Sequence, residues 1–211
     1  KEFGNFQLGQ ISGIVFNDVI ANHTRDNSDS TVANWKVYLI SSTKTESVVT
    51  NTNGVYIFQN IFPDVYTIRE EIKSDWQQTY PVFQTYELTT LSGSNITGND
   101  FGNFQLGRIS GAKFNDVNGN RQRDAGESGI PNWKIYLSGS KADSAFTDGD
   151  GNYLFSSLQK GNYSTSEEHL LGWIQSYPDS PGIHSISIVS GTNATNMSFG
   201  NYQLGVISGT D

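Results

Sequence analysis

Cysteine is absent from the 211 residues, so no disulfide braces the fold and stability has to come from buried apolar surface. No stretch approaches the ~20 consecutive apolar residues of a membrane helix, which excludes a helical span in this segment. Cationic charge is scarce: 13 Lys and Arg against 21 Asp and Glu give a net charge of −8, so a phosphate backbone would be repelled and nucleic acid is excluded as a partner. Histidine is confined to His23, His169 and His184, which share no spacing suited to metal or catalytic work. Also missing are a Gly-x-Ser-x-Gly elbow, a phosphate-cradling glycine loop and a His-Glu-x-x-His pair. Glu70-Glu71 and Glu167-Glu168 are adjacent on strand-like runs and point to opposite faces, so neither pair can flank a glycosidic bond. Together these absences argue against an enzyme.

What is abundant is repetition. The phrase beginning Phe3-Gly4-Asn5-Phe6-Gln7-Leu8-Gly9 and ending Ile11-Ser12-Gly13 returns at Phe101 to Gly111 and at Phe199 to Gly209, with spacings 101 − 3 = 98 and 199 − 101 = 98. A fixed long period signals a tandem array. Aligned at this shift, Asn34-Trp35-Lys36-Val37-Tyr38-Leu39 meets Asn132-Trp133-Lys134-Ile135-Tyr136-Leu137. With one residue of slip, Gly54 to Phe58 meets Gly151 to Phe155. Apolar residues recur every second position, and turn signals such as Asp148-Gly149-Asp150-Gly151 separate the runs. That pattern predicts an all-β fold, two tandem Greek-key β-sandwiches with seven or eight strands each and no helix. The expected boundaries are 1–7 for the closing strand of a preceding unit or a donor strand, 8–104 for repeat one, 105–202 for repeat two and 203–211 for the start of a further repeat. The 101–111 junction lacks the Pro, Ser or charge runs of a flexible linker, so a short stiff joint is expected. Trp35, Trp76, Trp133 and Trp173 fall at equivalent positions and read as core frame rather than as a sugar-stacking platform.

The chemistry is concentrated in one loop. Asp116-Val117-Asn118-Gly119-Asn120-Arg121-Gln122-Arg123-Asp124-Ala125-Gly126-Glu127 places oxygen donors at positions 1, 3, 5, 9 and 12, with the carbonyl of Gln122 at position 7. That spacing wraps Ca2+, which takes about six to eight oxygens, and Glu127 would chelate through both oxygens. Arg121 stands where glycine is usual, and the flanking sequence is strand rather than helix. Asp148 and Asp150 either line the same ion cluster or form a plain turn. In repeat one the equivalents are Asp18, Ile20, Asn22, Thr24, Asp26 and Asp29. An aliphatic side chain replaces one donor and the last carboxylate is shorter, so Asp18, Asn22, Asp26 and Asp29 make a weaker site.

These residues resemble the calcium-binding B repeats of serine-aspartate-repeat surface adhesins, which are prealbumin-like domains. The resemblance rests on Ile109-Ser110-Gly111 with Phe114 and Asp116, the acidic loop, Gly129-Ile130 with Trp133 to Leu137, and Thr147-Asp148 with Gly151, Tyr153 and Phe155. Gly161, Tyr163, Glu167, Gly172-Trp173 and Phe199-Gly200-Asn201 complete it. It implies an extracellular, cell-surface structural module of a stalk, sheath or filament, rigidified by calcium. Its partners would be neighbouring copies of the same repeat, in one chain or between subunits by strand addition. The alternative is a ligand-binding adhesin domain recognising a host protein or glycan through exposed aromatic loop tips, of which the sequence offers few. The sequons at Asn22, Asn95, Asn162, Asn193 and Asn196 permit surface glycans. Related surface domains carry a Lys-to-Asn isopeptide cross-link promoted by a buried acid. Glu70 and Glu167 could serve as acids, and Asn103 and Asn201 as acceptors. The lysine position, however, reads as Phe16 and Phe114. Lys113 is assigned to the other face, with Val15 as its counterpart, so no cross-link is expected.

Overall fold

The structure, a computed structural model, describes residues 3–205; Lys1, Glu2 and residues 206–211 lie outside it. The expected start of a further repeat therefore falls largely beyond the described residues. Contacts divide the chain into two compact units, Lys1–Gln105 and Leu106–Asp211. Among the described residues there is no helix.

Unit one comprises β1 (Gly9–Asn17), β2 (Ser30–Thr31), β3 (Lys36–Ile40), β4 (Thr45–Val49), β5 (Val55–Ile61), β6 (Val65–Glu70), β7 (Trp76–Tyr80), β8 (Thr85–Thr89), β9 (Asn95–Ile96) and β10 (Phe101–Gln105). Residues 3–8, at the place read as a closing or donor strand, form irregular chain. Unit two comprises β11 (Gly107–Asn115), β12 (Lys134–Gly139), β13 (Asp143–Phe146), β14 (Asn152–Leu158), β15 (Gly161–Glu167), β16 (Trp173–Tyr177), β17 (His184–Ile188), β18 (Asn193–Ala194) and β19 (Phe199–Gln203).

Each unit is built from the same two layers. In unit one the order β4-β3-β6-β8 forms one sheet, and β1 with β2, β5, β7, β9 and β10 forms the other. Unit two repeats this as β13-β12-β15-β17 facing β14-β11-β19-β16 with β18. The long opening strand is shared along its length: Gly9 to Ile14 pair with β5, while Val15 to Asn17 pair with β10. Both β10 and β19 run parallel to their opening strands, with registers Val15↔Phe101 and Lys113↔Phe199. The sandwich is thus not antiparallel throughout. A parallel pair needs a long crossover, and here the rest of the unit supplies it.

Alternation places the core between the layers. Ile11, Val15, Trp35, Val37, Leu39, Tyr56, Phe58, Ile61, Tyr66, Ile68 and Phe101 form one buried cluster in unit one. The tryptophans belong to this frame, as the sequence predicts. Trp35 and Trp76 meet edge-to-face at 5.2 Å, and Trp133 and Trp173 at 5.5 Å. The turn before β14 depends on Gly151, whose φ of +81° is costly for other residues and whose missing side chain leaves room for the Gly129 backbone, 2.8 Å from where a Cβ would stand.

Candidate functional site

The acidic loop leaves β11 at Asn115 and closes on itself. Its first carboxylate, Asp116, is fully buried, and its backbone N–H donates to the Asn201 carbonyl at 2.8 Å, tying the loop to β19. Asp116 accepts from the Asn120 amide at 3.0 Å and the Arg121 amide at 2.8 Å. Desolvation opposes its charge, yet hydrogen bonds led by Ser176 and the Arg121 amide hold its carboxyl below the usual range. Asn118 Nδ2 and Asn120 Nδ2 both donate to Asp124 Oδ2, at 2.9 and 2.7 Å. Glu127 spans the base of the loop, accepting from the Val117 amide through Oε1 (2.8 Å) and the Asp124 amide through Oε2 (3.0 Å). Arg121, at the position usually held by glycine, has the positive φ of +71° that this turn demands. The loop therefore brings Asp116, Asn118, Asn120, Asp124 and Glu127 onto one curl; Gln122 donates its N–H to Asn120 Oδ1 at 2.9 Å.

Unit one keeps the curl and changes the donors. Asp18 accepts from the Asn22 and His23 amides at 2.9 and 3.0 Å, with His23 at φ +63°. Asn22 Nδ2 reaches Asp26 Oδ2 at 2.8 Å, and Asp29 bridges Val19 and Asp26 as Glu127 does in unit two. Ile20 brings no oxygen to the place of Asn118. The first turn is thus common to both loops, with positive φ at Ala21 and His23 as at Gly119 and Arg121, while the return differs: Gly126 has φ +98° where Ser28 bonds Asp26 through its N–H and hydroxyl.

Asp148 and Asp150 occupy the β13–β14 turn. Asp148 Oδ1 accepts from the Asp150 and Asn152 amides at 3.0 and 2.8 Å, an Asx turn that lowers its carboxyl from the ordinary range, chiefly through the Asn152 bond. The turn lies against the exit of the acidic loop: a Cβ on Gly129 would strike the Asp150 carbonyl. Arg123 and Asp148 line one open depression with Asn152 and Phe146. Among the described residues no three Asp, Glu or His side chains converge as a metal group. Any cation here would therefore depend on the loop's amides and carbonyls as well as its acids.

A second constellation lies under the loop, and it overturns the facing read for Lys113. Its side chain is inward and fully buried, in phase with Ile109 on β11. Nζ stands 2.7 Å from Glu167 Oε2 and 4.3 Å from the centre of the Trp133 ring. Phe114 is buried too, against Gly200 on the other side of the sheet, where a Cβ would come 2.6 Å from its ring. Both faces of β11 are covered at this point, so alternation could not reveal which of the two enters the core. Asn201, 2% exposed, completes the group from β19, where it acts on the Glu167 carboxyl. Burial pushes the Lys113 amine down to about 8 and the Glu167 carboxyl up. In unit one Val15 takes the lysine's place, and Asn103 Nδ2 donates to Glu70 Oε2 at 2.8 Å.

The remaining candidates take structural roles. His184 packs on Phe199 at 5.1 Å and contacts the Ser198 carbonyl through Nε2 at 2.8 Å; His23 meets the Thr79 carbonyl at 2.8 Å. Glu70 is buried, and the Glu71 backbone carbonyl accepts from Trp35 Nε1 at 3.1 Å. Exposed aromatic tips are more numerous than the sequence suggests, since Phe62, Phe83 and Phe146 are open to solvent. Among the described residues no helix is long and apolar enough to cross a membrane.

Residues 107–195 match the family model described as SdrD B-like domain. Serine-aspartate repeat-containing protein E of Staphylococcus aureus is 26% identical over a 222-residue alignment that covers 93% of this chain and 20% of that protein. Colossin-A of Dictyostelium discoideum is 31% identical over 144 residues, 55% of this chain and 1% of its own length. The chain thus spans a fifth or less of these curated relatives. Among solved structures, the Bacillus anthracis TIE protein aligns with 94% of this chain and 34% of its own at 12% identity and a TM-score of 0.42. The shaft pilin SpaA from Lactobacillus rhamnosus GG aligns with 96% of this chain and 100% of its own at 8% identity and a TM-score of 0.39.

Proposed function

We propose that this chain, whose residues 107–195 match the SdrD B-like domain model, is a structural segment of an extracellular surface protein, stiffened by calcium in unit two. The observation that carries the reading is the closed curl of Asp116 to Glu127 on an all-strand body. Asn118 and Asn120 converge there on one oxygen of Asp124, and Glu127 spans the base. Asp116, Asn118, Asn120, Asp124 and Glu127 would hold the ion, with the Gln122 carbonyl. A bound divalent cation would draw the loop's carboxylates and side-chain amide oxygens toward one point and tie the end of β11 to the segment before β12. Binding only the folded state, it stabilises by mass action, about 2.7 kcal/mol at a hundredfold excess over Kd. The partners in this reading are further copies of the repeat, in line or between subunits.

Amide hydrogen exchange of the full chain in calcium and in chelator tests the proposal. Calcium should slow exchange across 116–127 strongly and across 18–29 little or not at all, and Glu127→Gln should abolish the difference. Identical exchange of 116–127 in both conditions would overturn it.

A further inference from the structure

A lysine, a carboxylic acid and a primary amide meet in the core of unit two with no water-facing side. Lys113 is 0% exposed, Glu167 4% and Asn201 2%. Although Nζ is only 2.7 Å from Oε2, it lacks an aligned hydrogen-bond partner, as do both Glu167 oxygens and Asn201 Oδ1. A buried ion pair repays its desolvation only when its remaining donors and acceptors are satisfied, and here they are not. Mere pairing is a poor account of the arrangement. The strand register explains the proximity. Lys113 pairs with Phe199 on the parallel neighbour β19, and Asn201 lies two residues on, on the same inner face; Glu167 reaches over from β15 in the opposite sheet.

We propose that Lys113 Nζ and Asn201 Cγ are joined by an isopeptide bond whose formation is promoted by the Glu167 carboxyl. The neutral amine adds to Cγ, and the protonated carboxyl donates to Oδ1 as charge builds there. Glu167 then takes the proton that Nζ sheds and passes it to Nδ2. As Oδ1 hands its proton back to Glu167 and the carbonyl re-forms, the Cγ–Nδ2 bond breaks, the Cγ–Nζ bond remains, and one ammonia leaves. Glu167 ends as it began, and no oxidant, reductant or co-substrate is consumed. Burial favours the reactive forms on both sides, since it takes the proton off the amine and leaves it on the acid. Fixing the groups in contact removes the entropic part of the barrier, and the dry pocket excludes competing hydrolysis. Unit one is the internal control. Val15 removes the nucleophile, and the remaining acid and amide settle into a hydrogen bond between Glu70 and Asn103.

Intact mass spectrometry of the full chain, unfolded in chelator, tests this independently of calcium. The wild-type chain should be lighter than its sequence mass by one ammonia, and digestion should yield a branched peptide joining Lys113 to Asn201. Lys113→Ala should restore the full mass, and so should Glu167→Gln, which preserves volume and can be checked for folding by circular dichroism. A wild-type chain at full sequence mass overturns the proposal. So does an ammonia loss that persists in Lys113→Ala, because it would arise elsewhere, as in a succinimide at Asn118-Gly119.

Discussion

Glu70 shows what a single residue costs when its partner is missing. Burial pushes its carboxyl up to about 8 against the help of Asn103 and Lys73, where Glu167 in unit two has an amine in contact. An acid raised on folding stays protonated in the native state while the unfolded chain, titrating near 4.5, has already released its proton. Stability therefore falls as pH climbs from about 4.5 to about 8 and is regained below that window. Glu70→Gln keeps an acceptor for Asn103 Nδ2 and removes the titration. We expect it to match the wild type near pH 4 and to gain on the order of 1–3 kcal/mol at pH 8, less than the full shift would give because buried sites relax. Urea midpoints of the full chain at the two pH values check this, and a midpoint unmoved at pH 8 refutes it. Ile20 against Asn118 is the same lesson at the loop: one side chain alters the chemistry while the hydrogen-bonded first turn stays.

Within the opening strands, the glycine of the repeated Ile-Ser-Gly phrase is a packing requirement. A Cβ on Gly13 would strike the Asn99 carbonyl and one on Gly111 the Met197 carbonyl, both in the segments that lead into the closing strands. At Gly200 the obstacle is the Phe114 ring, 2.6 Å away, which can yield. Gly111→Ala should cost about 2–3 kcal/mol and Gly200→Ala about 1–2, because backbone cannot move aside as a side chain can. Thermal unfolding of the two variants measures the order, and equal losses would contradict it. These elements were largely legible beforehand, since period two in Trp35-Val37-Leu39 and Trp133-Ile135-Leu137 dictates strands with one buried face. The closed curl from Asp116 to Glu127 was legible because its spacing is local. Two things were not. The parallel pairing of Val15 with Phe101 joins residues far apart in sequence and leaves no local mark. The inward facing of Lys113 was hidden because Phe114 is buried as well; the phase Ile109-Gly111-Lys113, matched by Ile11-Gly13-Val15, was the signal that could have assigned it.

Across the whole molecule the units share a frame and differ in how the first strand is held to the last. In unit one, β1 and β10 are joined by the parallel register from Val15 to Asn17, extended by the hydrogen bond from the Asp18 N–H to the Asn103 carbonyl. Tension applied at the chain ends loads that short ladder, and once it parts, Gly9–Gln105 can extend by ~3.5 Å per residue, on the order of 300 Å in all. With Lys113 bonded to Asn201, tension in unit two passes from β11 through the two side chains into β19. The intervening residues, 201 − 113 = 88 positions along the chain, then carry no load and cannot be drawn out. Single-molecule pulling of the wild-type chain should accordingly show one long extension step, and Lys113→Ala should show two. Chelating calcium should change the force needed for any unfolding step in unit two and leave the number of long wild-type steps at one, because an ion tightens a loop while a covalent bond sets the reachable length. Two long steps in the wild type would mean that β11 and β19 separate under load, and the covalent closure of unit two would be refuted with them.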